Sequence, residues 1–347
     1  MQRGGSSLRV AEPLPDRPGA PLLIAISECL LGREVRYDGS SAKSSFPHSL
    51  FDGLFEYRGI CPEVGIGMGT PREPIRLVAE DEAEPRVVGV VDATEDYTQA
   101  LYDYGRAAAS QLDDVAGYVF MKNSPSCGVF RVKVYPPGGG VPARRGRGAH
   151  ARAVMEALPD LPVEENGRLN DPTLRESFVT RVFAYRHWQA CFGTFGSDFT
   201  SAEFADSGLL SAHRLIEFHS RYKYLLMAHS VPHYQRAGRL LSDLKHDLVA
   251  KAAAYRSTLM DGLAQPASRN GHANVLSHLQ GYCKRYLDSA SRQELHELVR
   301  GYQRGEQPLL APLTLLKHHL RRFPQEYVLQ QAYLDPHPGF PGLRRTL

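Results

Sequence analysis

Short apolar runs alternate with amphipathic stretches along the first half of the chain. A continuous apolar run of strand length opens the pattern at Leu22–Ser27. Four later runs also have strand character: Tyr57–Cys61, Arg86–Val91, Val115–Met121 and Val129–Tyr135. Helical spacing of apolar residues predicts helices between them, over Phe46–Phe55, Tyr97–Leu112 and Gly148–Leu158. Strands that alternate with helices are typical of βαβ units, so we expect a mostly parallel sheet covered on both faces.

The pattern changes after the middle of the chain. One more amphipathic helix is predicted over Pro172–Trp188, with Asp171 as its N-cap and proline in its first turn. The aperiodic segment Cys191–Ser201 is predicted to be a linker, and the Gly- and Arg-rich segment Pro136–Gly148 a surface loop. Only helical spacing follows the linker: Leu209–His229, Pro232–Met260, Ala273–Tyr286, Ser291–Tyr302 and Leu313–Arg322.

These patterns predict three parts. Residues 1–20, rich in Gly, Ser, Pro and Arg, form a disordered leader; residues 21–190 form an α/β domain; and residues 200–335 form an all-α domain. The tail after Asp335, which carries three prolines, is predicted to be irregular.

Composition narrows the class of protein. With 42% hydrophobic and 23% charged residues, the chain has the balance of a folded globular protein. No apolar run is long enough to cross a bilayer, and the first residues lack the apolar segment of a secretory signal. Five cysteines, an odd number in a chain without such a signal, favour reduced thiols. We therefore expect a cytoplasmic protein that does not bind membranes.

Charge is distributed unevenly. From residue 200 onward there are 19 Lys and Arg against 12 Asp and Glu, a balance of +7, and the rest of the chain has 22 against 26, or −4. Eleven of the 14 histidines also lie in the basic half. Such an asymmetry favours a polyanionic partner for the second half, although long helices with solvated basic residues give the same count.

Three cysteines occupy equivalent places in the predicted sheet. Cys29 follows the first strand, Cys61 ends the second, and Cys127 lies a few residues after Val115–Met121. Carboxyl ends of parallel strands share one edge of a sheet, where ligands bind. The three thiols are therefore expected to meet in space, although a lone buried cysteine is more often a small apolar residue.

The softness of thiolates limits what such a trio would hold. Three thiolates suit zinc or an iron–sulfur cluster rather than magnesium or calcium. A structural zinc needs a fourth ligand, from Cys191 or a histidine. A four-iron cluster normally takes four cysteines, so three leave one iron open as a Lewis acid. Both interpretations remain open on the residues alone.

Five motifs then occur in order: Cys29-Leu30-Leu31-Gly32, Arg36-Tyr37-Asp38-Gly39, Cys61-Pro62-Glu63-Val64, Thr70-Pro71-Arg72 and Ser124-Pro125-Ser126-Cys127-Gly128. Over about residues 20–165 the chain resembles the thiouracil desulfidase family, small α/β enzymes that hold a [4Fe-4S] cluster through three cysteines. The helical remainder resembles the YbgA-like domain that is fused to some of these enzymes.

The resemblance implies a role for each matching residue. Cys29, Cys61 and Cys127 become the cluster ligands, and Glu63 and Ser124 match the family's catalytic residues. A carboxylate there would activate water or move protons, and the hydroxyl would bind the substrate or water, unless each merely shapes its turn. Weaker candidates for binding a phosphate or a base oxygen are Arg36, Arg72 and Lys122. Cys191 and Cys283 fall outside the motifs and are predicted to be structural thiols.

The helical domain offers basic and aromatic clusters for RNA. Phosphate contacts are predicted for Arg221, Lys223, Lys284 and Arg285. His229 and His233 have the spacing of metal ligands on a helix, but Pro232 between them argues against that role.

Two classes of function follow. In the first, which fused relatives imply, a [4Fe-4S] enzyme removes sulfur from 4-thiouridine in tRNA without a redox step, or acts instead on free thiouracil-type bases. In the second, the thiolates hold a structural zinc in a nucleic-acid-binding protein without catalytic activity. Iron and sulfide analysis separates the two classes.

Overall fold

The computed structural model of the chain describes residues 14–42, 51–80, 84–193, 209–344 and 347. Its strands are β1 Leu22–Ser27, β2 Phe55–Ile60, β3 Ile75–Val78, β4 Arg86–Gly89, β5 Tyr118–Phe120, β6 Val132–Tyr135, β7 Ala143–Gly146 and β8 Val163–Glu165. They form two four-stranded sheets rather than one.

The first sheet is parallel throughout. Its order is β2-β1-β5-β8, with Leu22 of β1 beside Phe55, Ala25 beside Tyr118, and Tyr118 beside Val163. The continuous apolar sequence of β1 fits a central strand, since helices cover both faces of such sheets. All four strands end at the same edge, as predicted for an α/β fold. That edge carries the candidate site.

The second sheet is mixed and was not predicted. Its order is β4-β3-β6-β7, with parallel pairing between β3 and β6 and antiparallel pairing in the other two pairs. Strand β7 lies inside Pro136–Gly148, so the prediction of a loop there is wrong. Ala143, Arg144 and Arg145 are exposed at a sheet edge and Gly146 is buried, so the strand has no apolar alternation to reveal it. The short strands β3 and β8 were also missed.

Helices of the first half are α1 Pro62–Gly65, α2 Thr98–Ala109, α3 Ala149–Ala157 and α4 Pro172–Phe192. The predicted cap of α4 is confirmed, because the Asp171 side chain accepts hydrogen bonds from the backbone N–H of Thr173 and Leu174. The helix predicted over Phe46–Phe55 lies partly outside the described residues. Its described part is a turn followed by the first residue of β2.

The second half is helical, as predicted. Its helices are α5 Ala212–His229, α6 Val231–Leu240, α7 Leu248–Ala264, α8 Arg269–Cys283, α9 Ser289–Arg304, α10 Leu310–Arg322 and α11 Glu326–Leu329. The single helix predicted over Pro232–Met260 is broken between α6 and α7, where Asp247 has a left-handed backbone with φ of 53°. No helix among the described residues is long and apolar enough to span a membrane.

Helix α4 joins the two halves, so the predicted boundary at residue 190 cuts through a continuous element. Its N-terminal part packs Phe178 and Val182 into the core of the parallel sheet. Its C-terminal part packs Trp188 and Phe192 into the core of the helical region. The proposed linker therefore does not begin at Cys191, which is buried inside α4; its remainder from residue 194 lies outside the described residues.

Both ends of the described chain cross between the halves. Leu14 is buried in the helical core, so the prediction of a disordered leader fails from residue 14 onward; residues 1–13 lie outside the described part. The irregular tail returns to α4, where Phe340 and Leu343 pack against the core of the parallel sheet. Apolar contact explains the departure at the N-terminal segment, because a few large side chains suffice to order a terminal segment. The tail is irregular as predicted, apart from a short 3-10 helix at Pro341–Arg344.

A buried ion pair fixes the tail. Arg344 donates from Nε to Glu176 of α4 at 3.0 Å and from Nη1 to the Tyr333 carbonyl at 2.7 Å. Burial by itself raises the pKa of the Glu176 carboxyl, but Arg344 and then His337 outweigh burial and hold that pKa at about 2. Both side chains are only 3% exposed, so the carboxylate depends on Arg344 for compensation.

We expect the Arg344→Met variant to lose stability, because it leaves the Glu176 carboxylate buried without its cation. Breaking a buried ion pair typically costs about 3–5 kcal/mol, and replacing both partners costs less. The measurement is the free energy of unfolding in denaturant for Arg344→Met and for the double variant Glu176→Gln/Arg344→Met. Arg304→Met, at an exposed pair with Glu306, is the control and is expected to leave stability unchanged. Wild-type stability in Arg344→Met would contradict this role.

Candidate active site

A cavity of about 430 Å³ lies at the carboxyl edge of the parallel sheet. Cys29 lies just beyond β1, Cys61 just beyond β2, and Cys127 in the loop that follows β5. All three line the cavity, which also receives Glu63 and Ser124. Since β2, β1 and β5 are neighbours in this sheet, the fold gathers the three cysteines that the sequence separates by at least thirty positions.

Local structure holds the first two cysteines at their strand ends. Cys29 lies in a short 3-10 helix, Glu28–Leu31, which Gly32 ends with a φ of 89° that only glycine adopts freely. Cys61 is the N-cap residue of α1, with Pro62 in the first turn, and its Sγ donates to the Val35 carbonyl at 3.8 Å. Helix α1 therefore begins directly after β2, at the Cys-Pro-Glu sequence.

The Cys127 loop depends on a close backbone approach. A Cβ atom on Gly148 would lie 2.4 Å from the carbonyl group of Ser126 and 2.8 Å from the nitrogen of Cys127. The Gly148 N–H also donates to the Gly128 carbonyl at 2.7 Å. Any side chain at position 148 would therefore displace the backbone that carries Cys127.

Burial raises the pKa of all three thiols. The pKa of Cys29 reaches about 11, with the neighbouring Cys61 as the second cause, and that of Cys127 rises further because its thiol is fully buried. The pKa of Cys61 is raised by the same burial. Thiols of this kind keep their protons at neutral pH unless a cation replaces them. Three sulfur donors in one cavity suit a soft metal centre, whose binding would have to displace these protons.

Glu63 is held on both carboxylate oxygens. Arg72 donates to Oε2 from Nε at 2.9 Å and from Nη2 at 2.5 Å, and the Ser126 hydroxyl donates to Oε1. The Glu63 side chain is 14% exposed, so it reaches the cavity while its orientation is fixed. This is the geometry of a positioned carboxylate rather than of a freely solvated one.

Ser124 has the turn-shaping role that was one of its two alternatives, and its Oγ also reaches the neighbouring Ser126. Its Oγ accepts from the Cys127 N–H at 3.0 Å, which shapes the turn, and lies 2.9 Å from the Ser126 hydroxyl. With the Ser126 proton directed at Glu63, the Ser124 proton is directed at Ser126. The three side chains therefore form a hydrogen-bonded chain from Ser124 through Ser126 to Glu63.

Ser126 is the residue that sequence reasoning missed. It is fully buried, and its position directly before Cys127 within Ser124-Pro125-Ser126-Cys127-Gly128 was the available signal. Only the fold shows that Ser126 bridges the loop after β5 to the carboxylate after β2.

Of the three cationic residues predicted to contact the substrate, two have side chains available to the cavity and one does not. Arg36 and Lys122 line the cavity, and Lys122 is exposed. Arg72 also lines the cavity, but its side chain is 5% exposed and its guanidinium is occupied by Glu63 and by the carbonyls of Val35 and Gly69. Direct substrate binding by Arg72 is therefore not supported, because its guanidinium N–H groups are already donated to these acceptors. Arg72 positions Glu63 instead.

A mononuclear metal site is not evident. Within the described ranges, no three His, Cys, Asp or Glu side chains are arranged to hold a metal ion. Cys191, considered as a fourth ligand, is buried in the helical core and does not line the cavity. His229 and His233 instead hydrogen-bond Gln265 and Ser230, respectively.

The four residues predicted to contact RNA differ in how far they are available to a partner. Lys284 and Arg285 are exposed beyond the end of α8, and Lys223 lies 5.1 Å from each of the ring centroids of Tyr224 and Tyr327. Arg221 does not face solvent as predicted: its side chain is 14% exposed, pairs with Glu217 and donates to the Pro15 carbonyl. It holds the N-terminal segment against α5.

Two family profiles match separate parts of the chain. The family described as "2-thiouracil desulfurase" matches residues 24–166, and the family described as "Protein of unknown function (DUF1722)" matches residues 223–338. The first range contains every residue of the cavity discussed above, and the second lies within the helical region.

Individual proteins are similar to part of the chain. The Escherichia coli (strain K12) protein YbgA is 39% identical over 134 residues, which are 38% of this chain and 79% of YbgA. The Bacillus subtilis (strain 168) protein YbbK is 36% identical over 114 residues, which are 30% of this chain and 73% of YbbK. Among solved structures, the "[4Fe-4S]-dependent thiouracil desulfidase TudS" is 27% identical with a TM-score of 0.34, over 44% of this chain and 95% of that one. On the two family profiles and the similarity to YbgA, the chain belongs to the 2-thiouracil desulfurase family through its α/β region, to which a YbgA-like DUF1722 region is joined.

Proposed function

We propose that this protein is a [4Fe-4S]-dependent desulfidase that converts 4-thiouridine in tRNA to uridine. One observation carries the proposal: cysteines at the ends of three adjacent strands line the same cavity as a positioned glutamate. Membership of the 2-thiouracil desulfurase family supports the chemistry, and the basic helical region supports RNA as the substrate class.

Cys29, Cys61 and Cys127 would hold the cluster. A four-iron cluster binds each cysteine through a different iron, so its thiolates lie further apart than the ligands of one ion. The observation that supports this assignment is that all three thiols line one cavity. When bound, such a cluster supplies an open iron that acts as a Lewis acid toward sulfur.

The proposed reaction exchanges C=S for C=O at the thiolated pyrimidine. Water supplies the oxygen, the carbon–sulfur bond breaks, and sulfur leaves as hydrosulfide with one proton released. No electron is transferred in the balance, so the reaction needs no reductant.

In this proposal Glu63 would receive a proton from the water that attacks the thiolated carbon. Arg72 occupies Oε2 and Ser126 donates to Oε1, so the carboxylate presents a fixed direction to the cavity. A base held in this way contributes typically about 10²–10⁴-fold to a rate. Ser124 and Ser126 extend the hydrogen-bonded chain and keep Glu63 beside the Cys127 loop.

Ser126→Ala is expected to lower turnover by roughly 10–100-fold, the usual cost of losing a group that orients a ligand or base. Ser126→Thr retains the hydroxyl and is expected to recover part of the rate. Such a recovery would show that the hydroxyl bond to Glu63, rather than the packing of the serine side chain, supports turnover. Ser110→Ala, at an exposed serine on α2's C-terminal end, is the control. The measurement is kcat with cluster content determined on the same samples. An unchanged kcat in Ser126→Ala would remove Ser126 from the account.

The choice between tRNA and free base rests on the helical region. Exposed Lys284 and Arg285 lie beside the half-exposed rings of Tyr282 and Tyr286, a combination of cations and stacking surfaces suited to RNA. A free base offers no phosphates for these cations to contact.

The experiment compares kcat/KM on tRNA containing 4-thiouridine with kcat/KM on free 4-thiouracil. We expect tRNA to be the better substrate, and Lys284→Gln/Arg285→Gln to weaken tRNA binding with a smaller salt dependence. Removing charge from exposed Lys245 on the α6–α7 connection serves as a control. Equal efficiency on both substrates, with no effect of the double variant, would favour the free base instead.

A further inference from the structure

The α/β region contains a concentrated positive segment that its overall acidity conceals. Between residues 115 and 155 there are seven Lys and Arg and neither Asp nor Glu, a local charge of +7. This local charge equals the net charge of all residues from 200 onward. The chain therefore has a second positively charged region besides the helical half, and this region includes the Cys127 loop in sequence.

Strand pairing arranges part of this charge into a row. Lys133 on β6 lies directly opposite Arg144 on β7. Leu77 of β3 pairs with Val134, which places Arg76 beside Lys133 on the other side. Three basic residues therefore stand side by side across β3, β6 and β7. We call Arg76, Lys133 and Arg144 the basic row.

The row faces away from the protein core. Val132 and Val134, the neighbours of Lys133 in β6, are buried in an apolar cluster with Leu77. Alternation along the strand turns Lys133 to the opposite face, and both Lys133 and Arg144 are exposed. Arg76 is half-buried, with its guanidinium 5.6 Å from the ring centroid of Tyr135, and its Nε has no hydrogen-bond partner among the described residues.

Such a row is unfavourable without a bound anion. Like charges directly opposite each other on a sheet destabilise the pairing. In the described part of the chain, neither Lys133 nor Arg144 forms an ion pair with a carboxylate, whereas nearby Arg152 pairs with Glu84. A cleft of about 470 Å³ beside β7 is lined by Glu84 and Glu156 and by four further arginines, namely Arg131, Arg145, Arg147 and Arg152, so its charged lining has an excess of two positive charges.

The row adjoins the candidate active site. Ile75, which lines the active-site cavity, directly precedes Arg76. Strand β6 begins five residues after Cys127. A polyanion on the row would therefore enter the cavity from the side of the second sheet.

We propose that the basic row and its cleft bind the phosphate backbone of the RNA substrate next to the thiolated nucleotide. This inference rests on the proposed function and assigns RNA contacts to the α/β region as well as to the helices. RNA is favoured over an anionic membrane because Val132 and Val134, the apolar neighbours of Lys133 on β6, are buried, so charge rather than an apolar side chain is exposed there.

The test uses the full chain and an unmodified tRNA transcript, so binding is read without turnover. Affinity is measured by fluorescence anisotropy over a series of salt concentrations for wild type, Arg144→Gln and Lys133→Gln/Arg144→Gln. Each lost phosphate contact lowers the slope of log affinity against log salt by about 1, so we expect decreases of about 1 and about 2. Arg106→Gln removes the same charge from an exposed position on α2 and is expected to keep the wild-type slope. Unfolding temperatures confirm that the variants fold.

The outcomes separate this inference from the proposed function. An unchanged slope in the double variant, together with desulfuration of tRNA by wild type, would overturn the basic row alone. Absence of wild-type binding to tRNA, with activity on the free base, would overturn the tRNA substrate and the row together. If the double variant instead lost binding only to vesicles of anionic phospholipid, the row would be a membrane contact and the proposal would be wrong.

Discussion

Replacing Cys29, Cys61 or Cys127 by Ala is expected to remove the brown colour, the acid-labile sulfide and the desulfidase activity together. The three thiols come from adjacent strand ends and line one cavity, so the loss of any one leaves two ligands for the cluster. Wild type purified without oxygen is expected to carry about four irons and four sulfides per chain.

Cys191→Ala and Cys283→Ala are the matched controls for this experiment. Both thiols are buried in the helical core, away from the cavity, so these variants are expected to keep colour and activity. Far-ultraviolet circular dichroism checks that each variant folds. Full cluster loading after loss of Cys29, Cys61 or Cys127 would contradict the ligand assignment, and stoichiometric zinc in wild type would favour the non-catalytic zinc protein.

Glu63→Gln is expected to retain the cluster but lose about 10²–10⁴-fold in turnover. The amide is nearly the same shape as the carboxylate and can still accept from Arg72, so the loop after β2 should hold. It cannot take up a proton from water, which is the step assigned to Glu63. The measurement is single-turnover conversion at matched iron content.

Glu56→Gln provides the control for this charge change, since Glu56 is an exposed residue on β2, the strand that precedes Glu63. We expect it to react at the wild-type rate. A Glu63→Gln variant that is loaded with cluster and equally fast would show that the carboxylate only anchors Arg72.

The sequence predicts best where one local signal determines the outcome. The apolar run Leu22–Ser27 is β1 with the same bounds, and Asp171 caps α4 because Asp followed by Pro is a strong helix start. The meeting of the three cysteines also follows from local signals, since a parallel sheet places every strand end at one edge.

The sequence predicts poorly where distant partners decide the structure. Strand β7 has exposed arginines and exists through pairing with β6, which no local pattern announces. Arg72 and Arg221 resemble free cations in sequence, yet Glu63 occupies one and Glu217 the other. Ser126 donates its hydrogen bond to a carboxylate 63 positions away. Net charge over a whole half likewise conceals the basic row.

The most direct test of the central claim is the fate of oxygen and sulfur in one reaction. Anaerobically purified full-length protein is incubated with tRNA containing 4-thiouridine in water labelled with a heavy oxygen isotope, without a reductant. We expect uridine that carries the label, with one hydrosulfide released for each uridine formed. Protein with a full cluster that yields no labelled uridine, or that requires a reductant to do so, would contradict the central claim.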